Sequence, residues 1–178
     1  MTVLITLLRG INVSGKNKIK MGELRSLYES LGFEEIHTYI QSGNVIFRTN
    51  LLDTSQMITQ IRNKINQEYG FDVIVIVRTP EEIDQILKNN PYSDKDLTKV
   101  HVAFLSDGQY SYSIDELEKS ITGQEEFEIR DKQIYLYLPH GSGRTKLTNN
   151  FFEKKLGMKA TTRNFRTINK ILEISSSI

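Results

Sequence analysis

The chain contains no cysteine, which removes disulfides, thiolate nucleophiles and cysteine metal sites at once. It has no apolar run near the roughly 20 residues that cross a bilayer, so no membrane partner is expected. The opening Met-Thr-Val-Leu-Ile-Thr-Leu-Leu lacks a basic leader and stops at Arg9. It reads as a strand and not as a signal peptide, and a cytoplasmic protein is expected. Net charge is nearly absent too: +1 over 178 residues, too little by itself for a strong nucleic-acid binder. His37, His101 and His140 lie far apart and lack metal-ligand spacing, so neither a metal site nor a cofactor is expected. The catalytic group, if there is one, stays unassigned.

What the chain does have is charge sorted by position. The stretch from Arg9 to Lys20 holds Arg9, Lys16, Lys18 and Lys20 with no acid before Glu23. From His140 to Lys170 the basic residues Arg144, Lys146, Lys154, Lys155, Lys159, Arg163, Arg166 and Lys170 face Glu153 alone. The compensating acids sit mid-chain, from Glu81 to Glu128. Two basic ends that meet in space would make one positive face. For any single lysine, solvated surface charge is the better explanation.

Apolar spacing gives an order of elements. Val3–Leu8 is a continuous apolar run, expected of a strand buried on both faces. Met21, Leu24, Leu27, Tyr28 and Leu31 fall at helical spacing, with Gly32 as the stop. Two short strands, Ile36–Ile40 and Val45–Arg48, flank a turn at Gln41-Ser42-Gly43-Asn44. Asp53 with Gln56 predicts a helix start, Gly70 its end, and a strand follows over Asp72–Val77. Strand, helix, strand, strand, helix, strand is the ferredoxin-like unit. Thr79-Pro80-Glu81-Glu82 then opens a helix, and residues 90–98 read as a linker.

From Val100 the pattern recurs. A strand at Val100–Leu105 precedes a helix capped by Ser113 and Glu116, with Ile114, Leu117 and Ile121 on one face. Strands at Phe127–Ile129 and Ile134–Leu138 precede a helix through Leu147, Phe151 and Leu156, stopped by Gly157. Thr161-Thr162-Arg163-Asn164 most simply starts a last helix, with a threonine as its cap. The expected fold is therefore α/β (α+β): two ferredoxin-like (βαββαβ-type) halves, the second altered at its C-terminus and ending in a helix. Residues 1–80 form the first half, 81–98 a helix and linker, and 99–178 the second half, packed as one compact unit.

Gly10 through Asn17 nearly fits the phosphate-binding Walker pattern, with Asn17 where a magnesium-binding hydroxyl should stand. The element order and the absence of a clear Walker B strand make that fit a coincidence of glycine spacing. A basic loop able to hold an anion is the narrower expectation. His140-Gly-Ser-Gly-Arg-Thr-Lys146 has the same ingredients, two glycines and two cations before a helix. Alone it would be a connection whose hydroxyl caps the helix.

Four stretches taken together resemble a bacterial family, domain of unknown function 1697. They are Leu-Leu-Arg-Gly-Ile-Asn-Val-Ser-Gly-Lys-Asn-Lys at 7–18, Tyr-Ile-Gln-Ser-Gly-Asn-Val-Ile-Phe at 39–47, Gly-Arg-Thr-Lys-Leu-Thr-Asn at 143–149 and Ala-Thr-Thr-Arg-Asn-Phe at 160–165. The chain departs from the family pattern at Ser14, Thr145 and Phe165, where glycine, serine and tryptophan are common. None of these changes removes a charge. The resemblance implies an α/β protein and carries no activity with it.

The reading that follows is a phosphate-bearing anion as ligand, a nucleic acid or a nucleotide. Arg9, Lys16, Lys18, Arg144, Lys146 and Arg163 would meet phosphate, arginine with a two-pronged grip. Asn12, Gln41, Asn44, Ser142 and Asn164 would add hydrogen bonds. A rival is an enzyme on a small phosphorylated or carboxylated metabolite, with His140 or Ser142 as its chemical group. A third is an interaction module whose basic face meets an acidic protein. Oligomeric state is not legible.

Overall fold

The computed structural model describes residues 1–108, 117, 119 and 123–178. They form two compact units: residues 1–85 with 170–178, and residues 86–169.

In the first unit β1 (Thr2–Arg9) leads to α1 (Met21–Ser30), β2 (Glu34–Tyr39), β3 (Asn44–Thr49), α2 (Thr54–Tyr69) and β4 (Ile74–Arg78). All pairings are antiparallel and the sheet order is β2-β3-β1-β4, the ferredoxin-like arrangement expected from the element order. Side chains alternate between the faces of a strand. Leu4 and Leu8 join the core under α1 and α2, and between them the Thr6 hydroxyl shares a 2.7 Å hydrogen bond with the buried Tyr28 phenol on α1. Ile5 and Leu7, on the other face, are also fully buried. Tyr28, Phe33 and Phe47 pack ring on ring at 4.6–5.7 Å in this core.

The helix ends obey local chemistry. The Asp53 carboxylate accepts from the Gln56 amide at the start of α2, and Gly70 closes that helix at φ 75°. At α3 (Pro80–Lys88) the capping box is complete. Glu82 N–H donates to Thr79 Oγ1 at 3.2 Å, and Thr79 N–H donates to Glu82 Oε2 at 2.8 Å. Residues 90–98, expected as a linker, hold an anchored turn. Tyr92 is buried, and its amide donates to Asn90 Oδ1 at 3.0 Å.

The second unit carries β5 (Val100–Leu105), β6 (Glu126–Arg130), β7 (Gln133–Tyr137), α4 (Asn149–Leu156) and β8 (Ala160–Asn164), with the sheet order β6-β7-β5-β8. The helix expected from Ser113 to Ile121 lies outside the described residues apart from Leu117 and Lys119. Leu117 is fully buried, in a core with Phe152, Leu156 and Leu136.

One expectation needs correcting. Thr161-Thr162-Arg163-Asn164 does not start the last helix: it is β8, paired with β5 from His101↔Asn164 to Leu105↔Ala160. Threonines suit a helix cap and a strand alike, and here the open edge of β5 recruits the pair as a strand. The helix itself, α5 (Phe165–Ser175), begins one residue later, and its cap is Asn164, whose Oδ1 accepts from the Thr167 amide at 2.8 Å. The second unit thus has its fourth strand, and the chain still ends in a helix.

Candidate functional site

The basic stretch after β1 folds as a small hairpin. Asn12 N–H donates to Asn17 O at 3.1 Å and Lys16 N–H to Val13 O at 2.9 Å. Ser14 and Gly15 at the tip have φ of 49° and 75°, the pair of positive angles that marks a type I′ turn. The Lys16 amide is therefore engaged inside the turn and does not face a phosphate, as a P-loop amide would. Lys16 and Lys18 stand exposed on this hairpin with no acidic partner among the described residues.

Asn12 fixes the hairpin to the unit. Its Nδ2 donates to Ile19 O at 2.8 Å and to Gln41 O at 3.0 Å, and its Oδ1 accepts from Ile19 N–H at 2.9 Å. The buried side chains of Ile11 and Ile19 pin the two ends. Gly43 lets the β2–β3 turn close onto β1: Leu8 N–H donates to its carbonyl at 2.8 Å.

Between this hairpin, the start of α1 and the turn at Gln41 lies a cleft of about 570 Å³. Asn12, Lys18 and Gln41 line it together, with Lys20, Ile19, Met21 and Glu23. Lys20 occupies the N-cap position of α1, and no side chain caps the first-turn amides. Capping normally falls to serine, threonine, aspartate or asparagine, so these N–H groups are left for solvent or a ligand. Glu23, the one acid among the lining residues, is held by Lys20 at 3.5 Å and by the Tyr69 hydroxyl at 3.3 Å.

Two expected ligand residues of this unit stand elsewhere. Asn44 is fully buried, and its Nδ2 donates to Tyr39 O and to Ser42 Oγ. It organises the β2–β3 turn. Arg9 ends β1 opposite Ile74, half-buried, and burial lowers its pKa from the ordinary arginine value.

In the second unit Ser142, Arg144 and Lys146 are exposed on the loop between β7 and α4. The start of α4 is occupied by the Thr148 hydroxyl, which accepts from the Phe151 amide at 3.2 Å. Arg163 is 7% exposed. Its Nη1 donates to Thr161 Oγ1 at 2.8 Å and to Thr162 O at 3.0 Å, and burial pushes its pKa down to about 10. The Asn164 side chain is engaged as the cap of α5. His140 is exposed. Among the described residues no group of three or more His, Asp or Glu could hold a metal ion, and no helix is long and apolar enough to cross a membrane.

Sequence reasoning missed Lys20, Ile19 and Met21 as walls of the cleft. The readable signal was a lysine where a helix cap should stand.

A conserved bacterial protein from Streptococcus pneumoniae has a similar solved structure. The TM-score is 0.75 and the identity 25%, over 98% of each chain. No curated protein matches. Residues 1–135 match the model of a family described as "Protein of unknown function (DUF1697)". The four motifs and the two four-stranded sheets thus belong to a chain that is a member of the DUF1697 family.

Proposed function

We propose that the protein binds a phosphate-bearing anion at the basic hairpin and cleft of the first unit. The observation that carries this reading is the pairing pattern of the cations. Lys20, Arg25, Arg48, Arg62, Lys64 and Lys170 pair with Glu23, Glu29, Glu35, Asp72, Glu68 and Glu173. Lys16 and Lys18 have no such partner among the described residues. Lys18 lines the cleft at the uncapped start of α1, where helix dipole and free amides favour negative charge, and Lys16 stands on the same hairpin. Arg144 and Lys146, likewise without an acidic partner among the described residues, offer a second exposed basic loop.

The test is thermal denaturation of the whole chain with phosphate, nucleotides and oligonucleotides. A ligand that binds only the folded state raises the melting temperature. Lys16→Glu with Lys18→Glu should abolish that rise and leave the unliganded melting temperature nearly unchanged, because neither lysine side chain has an ion pair or hydrogen bond among the described residues. Arg144→Glu with Lys146→Glu reports separately on the second loop. A rise that survives both pairs of reversals, or no rise with any phosphate-bearing compound, rejects the reading.

A further inference from the structure

The cleft is large for a bare anion. Its volume of about 570 Å³ is far more than the five heavy atoms of a phosphate fill. It falls in the roughly 300–1,000 Å³ range of sites that enclose a small organic ligand. Its walls are also mixed. Ile19 and Met21 are apolar, Lys18 and Lys20 are cationic, and Gln41 brings a carboxamide with no hydrogen bond among the described residues.

The charge is local as well. A nucleic-acid strand needs a track of cations, since each neutralised phosphate adds to affinity. In this unit the acid-free exposed cations, Lys16 and Lys18, sit on one hairpin, and the other exposed cations are in the pairs named above. That distribution suits one phosphate group attached to an organic body.

We propose that the cleft takes a mononucleotide, a phosphate monoester held by Lys18 beside the uncapped start of α1. Its ring body lies against Met21, and Gln41 hydrogen-bonds the edge of its base. The inference rests on the anion reading above and narrows it. It involves no covalent step.

The experiment is a titration of the ¹⁵N-labelled full chain, followed by amide shifts. The probes are the four ribonucleoside 5′-monophosphates, inorganic phosphate, adenosine and a ten-residue oligothymidylate. At least one monophosphate should bind about ten-fold tighter than phosphate, shifting the amides of Lys18, Ile19, Met21 and Gln41. Gln41→Ala should weaken it several-fold without altering phosphate binding, and Lys18→Ala should weaken both. Phosphate binding as tightly as every monophosphate overturns the inference and leaves the anion reading standing. So does an oligothymidylate that binds tighter than every monophosphate. Shifts at these amides with none of the phosphorylated probes overturn both.

Discussion

Asn12 and Ile19 hold each other twice. The Asn12 amide nitrogen donates to the Ile19 carbonyl at 2.8 Å, and the Ile19 amide donates to Asn12 Oδ1 at 2.9 Å. A side chain here imitates a strand neighbour, closing the basic hairpin where no backbone partner is available. Asn12 also sits at φ 55°, a region asparagine tolerates better than most residues.

Asn12→Ala should therefore destabilise the protein by about 1–2 kcal/mol, since part-buried partners at Ile19 are left unpaired. Asn12→Gly relieves the backbone but loses the same bonds, so the difference between the two measures strain. Urea denaturation gives both values, and amide exchange at Ile19 should accelerate in each. An Ile19 amide still protected in Asn12→Gly would show that the side chain does not hold the loop.

Gly43→Ala is expected to be more damaging. A Cβ there would lie 2.7 Å from Leu8 Cβ and 2.8 Å from Ile11 Cδ1, at φ 79°. Both neighbours are buried, so the turn must lift from β1. A loss of about 2–4 kcal/mol follows from overpacking and strain together. Chemical denaturation checks it, and the cleft beside Gln41 should lose ligand affinity in the same variant.

The Thr6–Tyr28 bond offers a cleaner energetic experiment. Tyr28→Phe leaves the Thr6 hydroxyl with a long 3.5 Å contact to Val45 O, and about 1–2 kcal/mol should be lost. Thr6→Val strands the buried phenol at similar cost. The double variant removes both partners and should cost clearly less than the sum, with a coupling of about 1 kcal/mol. Additive losses would mean that the hydroxyls do not recognise each other.

His101 makes stability depend on pH in a stated direction. Burial, the largest cause, lowers its pKa below the ordinary 6.5, partly opposed by a hydrogen bond to Lys99 O. The unfolded chain therefore takes the proton first. The contribution is fully present above the unfolded pKa and is lost as pH falls below about 6.5. Urea midpoints between pH 8 and pH 5 should show this decline, and His101→Gln should flatten it.

The first sheet was legible because its signals are local. Gly32 and Gly70 stop helices, Asp53 and Thr79 start them, and apolar runs mark the strands between. β8 was hidden because nothing in Ala-Thr-Thr-Arg-Asn distinguishes a strand from a helix entrance. The deciding partner, β5, lies some sixty residues away in the chain. The site was harder still. Asn12 and Asn44 read as ligand residues because polar side chains in glycine-bearing turns often are, and the sequence does not show that Asn12 also reaches the Gln41 carbonyl or that Asn44 is buried on the Tyr39 carbonyl. No pattern reveals that Arg163 is buried or that Asn164 caps a helix. Lys16 and Lys18 were readable as charge, and their lack of acidic partners was visible only in three dimensions.

The sheet order β2-β3-β1-β4 also has a consequence in time. The earliest of the four strands in chain order lies inside its sheet, and its partners reach from Asn44 to Arg78. While β2 and β3 can close on each other as soon as Thr49 has emerged, β1 must keep an edge open until β4 follows. At about 5–20 residues per second on the ribosome, that delay is on the order of several seconds. Throughout it the apolar run from Val3 to Leu8 has no finished sheet to enter, and its open edge is exposed to pairing with other chains.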